Sequence, residues 1–322
     1  MEIETLPDGL RVRAPAKLNL YLEVGGLRPD GFHELDGIFQ TISLHDELEL
    51  RLRDDGRIVL EEEGIDEGER NLVHRAAVAL RGASGPRFAR RGAHIRLEKR
   101  IPHGSGLGGG SSDAAATLIA LARLWDIPVS LPDLREVGAG LGSDVPFFFH
   151  GGTARCRGRG ERVTPWPEAD AAEPFHHVIV CPGVHTSTRD VYAALDPSSP
   201  SNPSSNHRAH FTLTRSSPID SMPVAEFLDR LREGEVVFNR LEAVSCRLRP
   251  ELGEVASRMK GEPFTAVAMT GSGSAFFGMC RTAGEAERLA RCVAARLAPE
   301  VQVLTVQSRP SYRFPWLSGG GG

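Results

Sequence analysis

Apolar and polar residues alternate with a period of two through most of the first hundred positions. Over residues 17–24, Leu18, Leu20, Leu22 and Val24 take one face of a strand, and Lys17, Asn19, Tyr21 and Glu23 take the other. Residues 46–53 alternate in the same way, residues 57–63 extend the sheet, and residues 93–101 set apolar against charged positions in turn. Strands with one wet face are typical of antiparallel sheets, whereas parallel strands read as nearly continuous apolar runs. The period lengthens to that of a helix over 71–80, with Asn71 placed to cap it. It does so again over 111–126, where Leu118, Leu121, Ala122 and Trp125 recur at helical spacing behind Ser111 or Ser112 as the expected N-cap. A short helix is predicted over 131–141, left through a turn at 142–149.

Past residue 174 the pattern restarts. It predicts a strand at 177–181, helices at 223–233 and 235–248, and strands at 264–269 and 275–279 joined by a glycine-rich turn. A helix at 283–297 and a strand at 301–307 follow, and this alternation suggests an α+β sandwich. Residues 197–206 are all Pro, Ser or Asn, so 196–218 is expected to be an exposed loop. The glycines at 319–322 read as a flexible tail.

Bulk properties narrow the partners. A chain of 322 residues can bury a sizeable core, and its length suggests two domains. A net charge of -4 gives no reason to expect nucleic acid or an anionic membrane as a partner. No run approaches the ~18 apolar residues of a membrane span, and the acidic N-terminus lacks the apolar core of a signal peptide. Five scattered cysteines without C-x-x-C spacing suggest reduced thiols and a cytoplasmic protein, with neither a zinc site nor a disulfide framework. Among eleven histidines no H-x-x-x-H pair occurs, so no dedicated metal site is expected.

One tract carries chemistry on its face: Pro102-His-Gly-Ser-Gly-Leu-Gly-Gly-Gly-Ser-Ser112 runs straight into the helix at 111–126. A flexible loop ending on a helix N-terminus points backbone N–H groups and the positive end of the helix dipole at one spot, which suits a polyphosphate. No Lys follows the glycines, which excludes the P-loop. Gly104, Gly106 and Gly109 satisfy G-x-G-x-x-G, but the alternating strand before them is unlike the buried parallel strand of a dinucleotide fold. Three further segments matter in combination. Residues 15–19 (Pro-Ala-Lys-Leu-Asn) bring Lys17 and Asn19 to one face, residues 142–146 (Gly-Ser-Asp-Val-Pro) set Asp144 in a turn, and residues 270–275 form a second glycine-rich turn. Singly, each reads as a solvated cation, a turn former or a tight hairpin. Together they form the set that phosphoryl transfer needs: backbone donors, a cation and a carboxylate to orient or deprotonate the acceptor.

In this order the segments resemble the GHMP kinase superfamily, the galacto-, homoserine, mevalonate and phosphomevalonate kinases, over about residues 10 to 310. The resemblance implies a two-domain α+β fold. An N-terminal domain like the second domain of ribosomal protein S5 would span 1–172, and a ferredoxin-like α/β sandwich 173–316, with a tail at 317–322. Pro29-Asp-Gly-Phe-His33, the triple-glycine loop and Gly142-Ser-Asp-Val-Pro-Phe147 resemble one branch in particular. The implied activity is transfer of the γ-phosphoryl of ATP, with Mg²⁺, to the 2-hydroxyl of 4-diphosphocytidyl-2-C-methyl-D-erythritol (CDP-methylerythritol), a step of non-mevalonate isoprenoid synthesis. The alternatives are another GHMP kinase acting on mevalonate or homoserine, or a non-catalytic nucleotide sensor.

By the same resemblance Asp144 matches the catalytic base and Lys17 the lysine beside it. The nucleotide would lie on Pro102, His103, Gly104, Ser105, Gly106, Leu107, Gly108, Gly109, Gly110, Ser111 and Ser112, with Asn71 near the adenine. The acceptor would meet Asn19, Thr188 and the turn at Gly271, Ser272 and Gly273. Its cytosine would sit between Phe32 and Tyr192, with His33 on the base edge. His103 and the length of 196–218 depart from the family pattern, and no glutamate partner for Mg²⁺ is identifiable.

Overall fold

The computed structural model describes residues 1–62, 68–195 and 218–317. The exposed loop expected at 196–218 lies outside the described residues except for its last position, and the tail glycines lie outside them too. The first sheet contains β1 (Glu2–Leu6), β2 (Gly9–Leu27), β3 (His33–Arg53), β4 (Ile58–Glu62), β5 (Gly92–Glu98), β6 (Thr153–Gly158) and β7 (Arg162–Pro165). Its main path runs β1-β2-β3-β5-β4, with β6 pairing β3 and β7 pairing β6. All these pairings are antiparallel except β4 with β5, so the alternating strand at 93–101 is antiparallel to β3 on one edge and parallel to β4 on the other. Helices α1 (Leu72–Ala83), α2 (Gly109–Leu124) and α3 (Leu131–Leu141) pack together, and α2 lies against β2 and β3.

The second sheet contains β8 (His176–Cys181), then β10 (Ala266–Met269), β11 (Phe276–Cys280) and β12 (Gln302–Gln307), in the antiparallel order β10-β11-β8-β12. Around it lie α4 (Thr188–Leu195), α5 (Val224–Arg232), α6 (Glu242–Leu248), α7 (Pro250–Lys260) and α8 (Ala283–Ala294). The helix predicted over 235–248 is corrected. Its first part is a two-residue strand, β9 (Phe238–Asn239), which pairs parallel to β2, and only its second part is helical. Helix α7 begins at Pro250 directly after α6; proline is well tolerated in a first turn, so the break is a restart.

Strand β2 departs most from its pattern. The alternation assigns Lys17, Asn19 and Tyr21 to a wet face, yet they are 2%, 1% and 5% exposed. Register shifts occur between Pro15 and Lys17 and between Asn19 and Tyr21. Leu10, Val12 and Ala14 belong to the core under the helices, Ala16, Leu18 and Leu20 to the core of the second sheet, and Leu22 and Val24 to the first core again. A slip in register exchanges the two faces of a strand. Between the two irregularities β2 is therefore turned over, and Lys17 and Asn19 point inward.

Two helix starts test the capping rules. Asn71 caps α1 as expected, its side chain accepting from the Val73 N–H at 2.8 Å. The Ser111 or Ser112 cap is corrected: α2 starts at Gly108 in the left-handed region, with no side-chain cap, and both serines lie inside the first turns.

The buried His177 makes the fold acid-sensitive. Its Nε2 is 3.1 Å from Gln40 Oε1 and its Nδ1 has no partner, while burial, then His176, pushes its pKa down to about 3. An unfolded histidine titrates near ~6.5, so below that pH the unfolded state binds more protons than the native one. Stability from this group is complete above ~6.5 and falls with acid, by roughly 2 kcal/mol between pH 6.5 and 5. Urea unfolding of His177→Gln and the parent at pH 7 and pH 5 should show a shallower loss in the variant. Equal losses would remove His177 as the cause.

Candidate active site

The glycine loop is held open by its own backbone. Gly104, Gly106 and Gly108 have φ of +64°, +79° and +75°. A Cβ on Gly106 would stand 2.2 Å from the Thr270 carbonyl oxygen, and one on Gly108 would stand 3.0 Å from Lys17 Cγ and from the Phe148 ring. The Lys17 N–H donates to Leu107 O at 2.9 Å, and the Ala275 N–H donates to Ser105 O at 3.0 Å. The loop is thus pinned between β2 and the second glycine turn. With no side chain capping α2, the N–H groups of its first turn remain for a ligand.

Gly106, Gly108 and Ser111 line a cleft of about 870 Å³. The other loop residues do not line it, and several have visible anchoring work. Leu107 is fully buried in the second core, the Ser105 hydroxyl donates to Pro102 O at 2.6 Å, and Gly104, Gly109 and Gly110 pack closely on His185, Ile101 and Leu72. His103 is exposed and the Ser112 hydroxyl is buried without a partner. Asn71 does not line this cleft; its amide donates to Glu62 at 2.7 Å and its oxygen accepts from the Val73 N–H at 2.8 Å.

Lys17 and Asp144 meet at the floor. Lys17 Nζ lies 3.5 Å from Asp144 Oδ2, donates to Asn19 Oδ1 and sits 5.1 Å from the centre of the Phe39 ring. Burial pushes the Lys17 pKa down, and the Asp144 charge works against that. Asp144 precedes a 3-10 turn, Val145–Phe149, whose five residues are all buried, so an apolar anchor fixes a carboxylate whose side chain is 29% exposed.

The second glycine turn closes over this pair. The Asn19 N–H donates to Thr270 Oγ1, which is itself 3.1 Å from Asn19 Oδ1. Gly271 and Ser272 line the cleft, and Thr188 Oγ1 is 2.8 Å from Ser272 Oγ. Gly273 stands behind them, with φ +93°, against Met269 and Thr186. Sequence reasoning missed what supports the turn. The Asn239 amide donates to Met269 O at 2.7 Å and Gly271 O at 2.8 Å, and the Ser245 hydroxyl donates to Ser272 O at 3.1 Å. The one available signal was a run of polar side chains inside a stretch otherwise read as a plain helix.

At the far end of the cleft stand the aromatic residues. Phe32 is 46% exposed, with the Arg159 guanidinium 4.9 Å above its ring. The rings of His33 and Tyr192 are 5.4 Å apart and tilted by 40°. His33 Nδ1 is 2.9 Å from Gly25 O. A carbonyl only accepts, so Nδ1 carries the proton and Nε2 of the neutral ring is left as an acceptor. Arg159 also lines the cleft and was not foreseen from the sequence.

Comparison with known proteins assigns the chain. The family model for the GHMP kinases N terminal domain matches residues 71–152, and that for GHMP kinases C terminal matches residues 224–298. A 4-diphosphocytidyl-2-C-methyl-D-erythritol kinase from Pelotomaculum thermopropionicum is 41% identical over 282 residues, 86% of this chain and 91% of that protein. This chain is a GHMP kinase. A relative of the same description from Thermotoga maritima is 40% identical over 82% of this chain and 89% of its own length. A crystal structure of 4-(cytidine 5'-diphospho)-2C-methyl-D-erythritol kinase matches with a TM-score of 0.71 and 37% identity, covering 92% of this chain and 98% of that one. The mevalonate kinase of L. major in complex with R-mevalonate matches with a TM-score of 0.70 at 16% identity, covering 96% and 97%, and so shares the fold. The two-domain GHMP kinase fold expected from the motifs is the fold observed.

Proposed function

We propose that this GHMP kinase transfers the γ-phosphoryl group of ATP to the 2-hydroxyl of CDP-methylerythritol, giving the 2-phosphate and ADP. The observation that carries the reading is the Lys17–Asp144 pair, 3.5 Å apart, at the junction of two glycine turns and in the same cleft as Phe32, His33 and Tyr192. The acceptor hydroxyl oxygen forms the new bond to the γ-phosphorus as the bond to the β,γ-bridging oxygen breaks, and Asp144 accepts or orients the hydroxyl proton. Lys17 pairs with Asp144 and meets the charge that spreads over the transferring group. The glycine loop and the α2 N-terminus hold the nucleotide phosphates. Phe32 and Tyr192 stack the cytosine, whose exocyclic amine is a suitable donor to His33 Nε2.

Mg²⁺ neutralises phosphate charge in reactions of this class. Among the described residues no cluster of three His, Cys, Asp or Glu side chains could hold a metal ion. The residues present fit an ion carried in on the nucleotide oxygens, to which Ser111, in the cleft and the first turn of α2, would offer a protein oxygen. The N-terminal ATP-binding domain spans 1–172 and the C-terminal domain 173–316, a division supported by β8 opening the second sheet at His176, with β9 reaching back to β2. No helix among the described residues is long and apolar enough to cross a membrane, and the free cysteines suit a reducing cytoplasm.

A thermal-shift panel tests acceptor choice. A ligand bound only by the native state raises its stability by RT ln(1 + [L]/Kd), so CDP-methylerythritol should raise the melting temperature while mevalonate and homoserine leave it unmoved. A shift with mevalonate alone would redirect the assignment to another GHMP branch. Phe32→Ala and Tyr192→Ala should each weaken CDP-methylerythritol binding by ~1–3 kcal/mol, the range for base–aromatic stacking, with ATP affinity unchanged by titration calorimetry. Equal weakening of ATP would put these rings in the wrong pocket.

A further inference from the structure

The two groups of the catalytic pair sit on separate segments, Lys17 on β2 and Asp144 at the head of the buried turn. The chain that follows β12 joins β3, the strand paired with β2, to the segment that begins at Asp144. Ser308 bridges Ile42, and the Arg309 N–H donates to Thr41 O at 2.9 Å. Ser311 bridges Gly151, the Tyr312 N–H donates to His150 O at 3.0 Å, and the Tyr312 hydroxyl donates to Phe148 O at 2.5 Å. The Tyr312 ring lies so close on Gly151, whose φ is +62°, that a Cβ there would stand 2.1 Å from it. Only glycine admits that approach.

Thr41 is where these contacts converge. It is the ladder partner of Lys17 across β2 and β3. Its N–H donates to Gly152 O at 2.9 Å, and its hydroxyl accepts from the Gly152 N–H at 2.9 Å and reaches Arg309 O at 3.3 Å. One residue on the strand opposite Lys17 thus touches both the end of the segment that begins at Asp144 and the returning chain.

We propose that residues 308–312 are a positioning strap for the catalytic pair, with Tyr312 and Thr41 holding the segment from Asp144 to Gly152 against β3, the strand paired with the one that carries Lys17. The inference rests on the assignment of Lys17 and Asp144 to phosphoryl transfer. Among the described residues, the bridges and hydrogen bonds of the strap go to neither the glycine loop nor the aromatic end of the cleft, so it acts on the chemical step and leaves substrate binding alone. Catalysis by positioning is steep: a shift of ~1 Å in a reacting group can cost ~10²-fold in rate. Lys17, buried, relies on Asp144 to offset the depression of its own pKa. A strap that slackens draws Asp144 away, deepens that depression and moves the alkaline fall of kcat to lower pH.

The test compares full-length Tyr312→Phe, Thr41→Val, Thr41→Ser and Asp144→Asn in steady-state assays with ATP and CDP-methylerythritol across pH 6 to 10. Tyr312→Phe and Thr41→Val should lower kcat by about 10-fold. Both Michaelis constants should stay within about twofold, the alkaline limb should move to lower pH, and Thr41→Ser should restore both rate and limb. Should Thr41→Val fail to fold, Tyr312→Phe, which loses one hydroxyl, decides alone. A Tyr312→Phe enzyme with parental kcat and an unmoved alkaline limb overturns the strap, and so does a fall in kcat with the limb unmoved, which would mark a structural role. An active Asp144→Asn enzyme overturns the underlying assignment instead, so the two failures are separable.

Discussion

Asp144→Asn is expected to bind ATP and CDP-methylerythritol normally and to turn over about 10²-fold or more slowly, the scale of general base catalysis. The amide is isosteric with the carboxylate, and the buried turn Val145–Phe149 behind it keeps its apolar contacts, so the fold should be unaffected. Two losses then combine. The acceptor hydroxyl has no carboxylate to take or orient its proton. Lys17, nearly fully buried, also loses the charge that opposes its desolvation, which drives it further toward the neutral amine. Binding constants from calorimetry and kcat from ADP release separate ground-state from transition-state effects. Near-parental turnover in a preparation free of wild-type enzyme would remove Asp144 from the base role.

Gly106→Ala should be severely damaging for a change of one methyl group. At φ +79° a non-glycine residue costs ~1–2 kcal/mol before any contact is considered. The new Cβ would also stand 2.2 Å from the Thr270 carbonyl, which is backbone and cannot swing aside. The glycine loop must therefore back away from the second glycine turn at the point where the two meet over Lys17. We expect kcat/KM to fall by about 10²-fold for ATP and for CDP-methylerythritol together, because misplaced donors affect both halves of the reaction. Gly104→Ala meets the His185 ring, a side chain that can rotate, and should lose distinctly less. Equal, small losses in the two variants would show that the loop is not clamped at Gly106.

Both glycine turns were legible in the sequence because their function is carried by backbone, which glycine announces. The strands at 17–24, 46–53, 57–63 and 93–101 and the central helix were legible from their periodic apolar positions, whereas β6 and β7 went unread. The inward turn of Lys17 and Asn19 was not, since it depends on register shifts set by pairing with β3, and an alternating pattern looks the same with either face inside. Asn239 escaped for a similar reason: its partners are carbonyls about thirty residues away. At α2 the serine rule misled. Serines cap helices whose first N–H groups need a partner from the chain, and here those groups face a cleft. Asn71 was legible as the cap of α1, because an Asn before a periodic apolar run announces one.

The central claim is tested most directly by incubating the purified chain with ATP, Mg²⁺ and CDP-methylerythritol and following ADP release together with the phosphorus NMR spectrum. The account predicts one ADP per acceptor consumed and a new phosphate monoester resonance, with Asp144→Asn giving neither at a comparable rate. No ADP above the acceptor-free background, while mevalonate or homoserine is phosphorylated under the same conditions, would contradict it.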